Sequence, residues 1–197
     1  MSRRCWQRSD MCVVSLRACD VINRNDCSVV RWPPDYAPAT APVYVRNELE
    51  MDAPADVVWA WLIRAQLWPT WYPNSASVKF LEGPSPDLTA HTRFRWRTFG
   101  VNLESKVREF VPRERIAWDA RARGVDAYHA WVISTTSRGS HVITEETQHG
   151  WLARLGNFLM PWRMGKYHQL WLERLRENSA RGWPPGGAAG RASATST

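Results

Sequence analysis

Polar and apolar residues alternate along VYVRNELEM (43–51), with Val45, Leu49 and Met51 on one face and Arg46, Glu48 and Glu50 on the other, the pattern of a half-buried strand. The period then changes. In DAPADVVWAWLIR (52–64), Val58, Trp61 and Leu62 recur at helical spacing behind Asp52 and Pro54, which suit a helix start, and LWPTWYP (67–73) predicts a second short helix or aromatic turn. Six further segments read as strands: SVKFLEG (77–83), TRFRWRTF (92–99), VNLESKVREFV (101–111), RIAWDARA (115–122), DAYHAWVIST (126–135) and SHVITEETQ (140–148). The links between them, marked by GPSP, Gly100, PRE, Gly124 and SRG, are short, which implies an antiparallel meander. GWLARLGNFLMPWRMGKYHQLWLERLRENSA (150–180) is helical except at Pro161, with Met164, Tyr167, Trp171 and Leu175 as a stripe down one side.

Outside this window the patterns fade. Residues 1–42 sustain neither period and end in RWPPDYAPATAP, so they predict a disordered or extended N-terminal tail, whether functional or an over-extended gene start. GWPPGGAAGRASATST has the composition of a flexible end, which bounds the expected domain at 43–182 and leaves 183–197 as a second tail. An apolar fraction of 44% in 197 residues suits one such domain. The net charge of +7 is almost all arginine, with lysine only at Lys79, Lys106 and Lys166, and is interleaved with acids, so no nucleic-acid partner is expected. Cys5, Cys12, Cys19 and Cys27 match no zinc spacing, and there is no glycine-rich phosphate loop or nucleophile motif, so neither metal nor cofactor is expected. CVVSL is too short for a signal h-region and no run approaches about 18 apolar residues, which excludes stable membrane insertion and points to a soluble, cytoplasmic protein.

The order strand, helices, six strands, long helix is the helix-grip layout. APADVVWAWL, WPTWYP, YHAWVISTTSRGSHVITEETQHG and YHQLWLERL, in that order and spacing, resemble the START-like (SRPBCC) polyketide cyclase/dehydrase family over residues 43–180. The resemblance implies an α+β fold: a seven-stranded curved antiparallel sheet wrapped on the long C-terminal helix, with two short helices after the first strand. It also implies an enclosed pocket. It does not imply a reaction, since the superfamily includes cyclases, lipid carriers and chaperone cofactors without a shared catalytic set.

Alternation picks the inward residues of each strand, and turn length decides which stand opposite one another. A four-residue turn at Thr136–Gly139 sets His129 against Glu146 and Trp131 against Thr144. The same reasoning across the turns at Val125, Arg113 and Gly100 gives one inward row of Trp96, Ser105, Ala120, His129 and Glu146, and a second of Phe94, Val107, Trp118, Trp131 and Thr144. Apolar walls, small residues and one convergent polar pair are what a small-molecule pocket requires. The carboxylate would orient His129 and raise its basicity, which makes the two a candidate catalytic pair, and they also suit a polar ligand anchor or a plain core hydrogen bond.

Trp171 and Tyr167 on the helix join Trp96, Trp118 and Trp131 as candidate ligand-binding residues, and Trp68, Trp71 and Tyr72 are candidates for a gate at the cavity mouth. On the outer face Arg93, Arg95, Arg97, Glu104, Lys106, Asp119 and Arg121 predict an ion-pair lattice with Glu104 between Arg97 and Arg121. Three functions remain open. The first is a carrier or sensor of a small hydrophobic ligand, polyketide-, lipid- or isoprenoid-like; the second is a cyclase/dehydratase-type enzyme using the His/Glu pair. The third is a protein-interaction or folding-cofactor module. Nothing in the pattern bears on oligomeric state.

Overall fold

The structure, a computed structural model, describes residues 30–186. Strand β1 (Val43–Met51) is followed by α1 (Ala55–Ile63) and the single turn α2 (Trp68–Trp71), then by β2 (Ser75–Glu82), β3 (Arg93–Thr98), β4 (Val101–Val111), β5 (Arg115–Ala122), β6 (Val125–Thr135) and β7 (Ser140–His149), and finally by α3 (Trp151–Leu159) and α4 (Arg163–Ser179). The seven strands form one antiparallel sheet in the order β1-β7-β6-β5-β4-β3-β2, so the meander closes by setting β7 beside β1. Helix α1 starts directly after Pro54 and buries Val57, Val58, Trp59, Trp61 and Leu62, which leaves it no free apolar face. Pro161 separates α3 from α4, since it cannot donate to the preceding turn. Helix α4 packs along β1 and against α1, and its buried residues His168, Trp171, Leu172 and Leu175 face the sheet. The α+β helix-grip arrangement expected from the sequence is the one observed.

Two turns are tighter than the sequence reading assumed. β3 and β4 are joined by Phe99-Gly100 alone, Thr98 pairing with Val101, and β5 and β6 by Arg123-Gly124, Ala122 pairing with Val125. Phe99 and Gly100 both take positive φ, 50° and 80°, as a type I′ hairpin requires. Each turn moves the expected pairing by two positions. Trp96 therefore lies opposite Leu103 rather than Ser105, Phe94 opposite Ser105 rather than Val107, Ala120 opposite Ala127 rather than His129, and Trp118 opposite His129 rather than Trp131. A slip of two keeps every side chain on its face, so the inward set survives while its neighbours change. The pairings of β4 with β5 and of β6 with β7 are those expected, including His129 with Glu146 and Trp131 with Thr144. On the convex face the same slip sets Glu104 between Arg95 and Arg121; its carboxylate binds Arg93 (2.5 Å) and Arg95 (3.3 Å), while Arg97 turns to the Gly100 carbonyl.

The expected tails are corrected at their inner ends. Ala117, Ala130, Val132 and Ile143 make the centre of the convex face apolar, and an apolar sheet face needs a cover. Val30, Trp32 and Tyr36 supply it, packing with Tyr128 over that patch. The Tyr36 hydroxyl donates to Asp126 (2.7 Å) and its carbonyl accepts from Thr147 (3.0 Å). At the other end Trp61 Nε1 donates to the Gly182 carbonyl (2.7 Å), and the buried Arg64 guanidinium joins the Asp87 carboxylate to the carbonyl of Pro185. The packed unit thus includes residues 30–42 and 183–186, and the rest of both expected tails lies outside the described residues. A chain beginning at residue 43 should be less stable than one beginning at residue 30 by about 2–4 kcal/mol, the area term for uncovering this patch. Chemical denaturation of the two chains measures the difference, and equal midpoints would mean that the cover contributes nothing.

Candidate functional site

Trp68 occupies the middle of the concave face. Helix α2 carries it inward until its ring meets Phe94 (5.8 Å), Trp96 (5.4 Å), Trp118 (5.6 Å) and Trp171 (5.2 Å), and its Nε1 donates to the Leu62 carbonyl (2.9 Å). Tyr72 stacks on Trp171 at 4.3 Å and 14°. The expected gate of Trp68, Trp71 and Tyr72 is therefore a plug: all three side chains are buried, because large flat rings gain more from packing than from covering a mouth. One end of the concave face is filled this way, and the open volume lies at the other, beneath α3.

That volume is a cavity of about 180 Å³. The start of α3 is held over it by the Gly124 carbonyl, which accepts from the amides of Leu152 (3.0 Å) and Ala153 (3.4 Å). Gly124 has φ +81°, and a Cβ there would stand 2.6 Å from the Trp151 indole nitrogen, so only glycine permits this approach. Of the residues singled out from the sequence, Tyr72, Trp96, Trp118, Ala120, His129, Glu146, Met164 and Trp171 line the cavity, Tyr72 and Trp171 at the boundary with the plug. Phe94, Val107 and Trp131 lie in the core instead. Ser105 accepts from Trp96 Nε1 (3.1 Å), and Thr144 bonds His129. Tyr167 sits edge-on to Phe99 at 5.3 Å and is not among the lining residues; one position further along α4, His168 takes the place expected of it. The spacing of four from Met164 and three to Trp171 already places His168 on the same helical stripe.

His168 completes a buried trio. Glu146 Oε2 accepts from His168 Nε2 (3.1 Å) and lies 3.3 Å from His129 Nδ1, while Oε1 accepts from the Gln148 amide (2.6 Å). The two imidazoles stack at 4.8 Å and 9°. His129 Nε2 is 2.8 Å from Thr144 Oγ1, so with the proton on Nδ1, towards the carboxylate, the threonine hydroxyl donates to Nε2. Burial lowers the His129 pKa from 6.5; Glu146 offsets part of this and His168 adds to the fall, to about 3. The ring is neutral at neutral pH. Burial alone would raise the Glu146 pKa, but His129, His168 and Gln148 outweigh it and hold the carboxyl below its ordinary range.

Glu146, His129 and His168 each offer a metal-ligand atom, all within 4.8 Å of one another. No spacing in the sequence announces this trio. The stacked rings, however, direct their in-plane lone pairs along parallel planes, so one imidazole has to turn before both could bind one ion. In the observed arrangement two imidazoles share one carboxylate.

A family model described as "Polyketide cyclase / dehydrase and lipid transport" matches residues 42–180. Among solved structures, the hypothetical protein jhp0584 of Helicobacter pylori is 29% identical with a TM-score of 0.72, the match covering 77% of this chain and 96% of that one. The Zhui aromatase/cyclase of Streptomyces sp. R1128 is 16% identical with a TM-score of 0.60, covering 75% and 98%. TTHA0849 of Thermus thermophilus is 18% identical with a TM-score of 0.58, covering 71% and 98%. No protein with a curated description matches. Among the described residues no helix is long and apolar enough to cross a membrane.

The neutral His129 sets a pH dependence. Its native pKa of about 3 lies below the ordinary 6.5, so as pH falls through 6.5 the unfolded chain takes up a proton that the native chain refuses. Stability should fall by about 1.4 kcal/mol per pH unit below pH 6.5, with Glu146 adding to the loss below its ordinary value of 4.5. His129→Gln, which can still face Glu146 and Thr144, should flatten the slope between pH 6.5 and 4.5 relative to the parent chain in urea titrations. Parallel slopes would show that His129 titrates normally.

Proposed function

From its membership of the polyketide cyclase / dehydrase and lipid transport family, to which the match over residues 42–180 assigns the chain, we propose that this protein binds a small, largely apolar molecule beneath α3 and acts as its carrier or sensor. The observation that carries this reading is the contrast inside the cavity: walls of Leu103, Trp118, Leu152 and Met164, and a buried polar cluster of Glu146 and its partners, with Thr98, Asn157 and Arg163 as the other polar lining residues. A volume of about 180 Å³ is below the typical ligand pocket of about 300–1,000 Å³, which favours a compact ring system or the end of a longer chain.

A second reading, cyclase-type proton transfer, keeps one supporting feature. His129 is poorly suited to it, because both its nitrogens are engaged and its pKa of about 3 makes it a weak base near neutral pH. His168 is better placed. Glu146 holds its Nε2–H while Nδ1 has no hydrogen-bond partner, the arrangement of an oriented base.

Binding of naphthalene and 2-naphthol, which differ by one hydroxyl, tests the carrier reading by calorimetry. Ala120→Phe, which fills part of the cavity, should weaken both by roughly tenfold or more while the fold persists. Glu146→Gln should erase the preference for 2-naphthol, worth about 1.5–3 kcal/mol for a charge-assisted hydrogen bond, and leave naphthalene binding close to that of the parent. If Glu146→Gln lowers only the melting temperature and the preference stays, the trio is a core network and not a ligand anchor.

A further inference from the structure

We propose that the outer face of α3, with the link into α4, docks on an anionic lipid surface. Eight large apolar side chains are exposed among the described residues, and five lie within twelve positions: Trp151 (61%), Leu155 (46%), Phe158 (82%), Leu159 (62%) and Trp162 (60%). The first four, spaced four, three and one apart, form a stripe along α3, and Trp162 follows in the link to α4. A helix on a globular core turns such a stripe inward. Here the inward positions are already taken, since Leu152, Ala153, Gly156 and Met160 line the cavity. The stripe is thus additional to the packing of the fold, and it is large for a surface with no partner.

Charge identifies the partner. From Gly150 to Leu172 the chain contains no Asp or Glu, whereas Arg154, Arg163 and Lys166 fall within it. Arg154 and Lys166 are exposed, as is Arg123, whose neighbour Gly124 packs under the Trp151 ring. The Lys166 ammonium lies 5.6 Å from the Trp162 ring centroid, so the basic and aromatic groups are contiguous. Tryptophan, phenylalanine and leucine along one face with basic residues beside it are the chemistry of an interfacial helix, whose apolar side enters the acyl boundary while its cations meet anionic headgroups. Nine residues are far short of the roughly 20 needed to span a bilayer, so α3 would lie in the membrane plane. The same helix roofs the cavity, and docking would place that roof against lipid.

The test uses the full chain and vesicles of phosphatidylcholine alone or mixed with phosphatidylserine, read by cosedimentation. Partitioning should be markedly stronger on the mixed vesicles and fall as salt is raised. Phe158→Asp, at an 82% exposed position where the fold has little to lose, should weaken it by roughly tenfold or more. Arg154→Glu with Lys166→Glu should weaken it by about fivefold or more per charge on mixed vesicles, leaving the neutral background unchanged. Equal binding to both vesicle types, or binding that neither variant alters, overturns the proposal. So does a parent chain that ignores vesicles but sediments as a dimer which Phe158→Asp dissociates, since the stripe is then a protein–protein face. No ligand is needed in the cavity for this measurement, so its failure leaves the carrier reading intact, and failure of naphthol binding leaves the docking face intact.

Discussion

A carboxylate carried out of water must find hydrogen donors inside the protein, and much of this fold is arranged so that Glu146 finds them. The donors come from its own strand (Gln148) and the long helix (His168), and His129 on the adjacent strand brings its Nδ1 within 3.3 Å. The requirement therefore ties α4 to one lateral position and one rotation over β6 and β7. Breaking a buried, paired charge costs about 3–5 kcal/mol, more than any single surface ion pair of the convex face, each of which is worth at most about 1 kcal/mol. The polar end of the cavity and the docking of the helix are one constraint.

Aromatic packing decides how much space that constraint leaves. With Trp68 driven between Phe94, Trp96, Trp118 and Trp171, the concave face is solid at one end. The cavity survives only where Ala120, on the strands, and Ala153 and Gly156, on α3, keep side chains short. Small residues facing a plug of indoles make a pocket with rigid walls, and rigidity lowers the entropy lost when an apolar ligand binds. The trio stands at the boundary between plug and cavity, His129 against Trp118 at 5.0 Å and Trp171 at 5.4 Å, so its protonation is controlled from the apolar side.

Helix α3 differs from the rest of the molecule. The sheet and α1 bury most of their large apolar side chains, and residues 30–42 add to that by covering the convex face. In α3 one face roofs the cavity and the other presents tryptophan, leucine and phenylalanine to the outside beside a run free of acids. It is held to the sheet at its start by the Gly124 carbonyl and ends at the break around Pro161, and Ala153 is its one buried residue. Elements with little buried apolar area open most readily, and α3 is such an element.

Local pattern was sufficient for the elements. Alternation and helical spacing are properties of neighbouring residues, and they decided the seven strands, their antiparallel order, the long helix and the inward set that includes His129 and Glu146. The four-residue turn at Thr136–Gly139 even carried the pairing of those two across β6 and β7. What alternation cannot carry is a displacement that preserves it: the two-residue turns at Phe99-Gly100 and Arg123-Gly124 moved two registers by two positions without changing any face. Nor could local pattern find groupings made by distant segments. His168 reaches Glu146 from 22 residues away, Trp68 reaches Phe94 on β3 and Trp171 on the C-terminal helix, and Tyr36 reaches Asp126 across 90 residues. Those contacts depend on where a helix settles over a sheet, and that is set by the sum of burial and hydrogen bonding across the molecule, which only the tertiary structure contains.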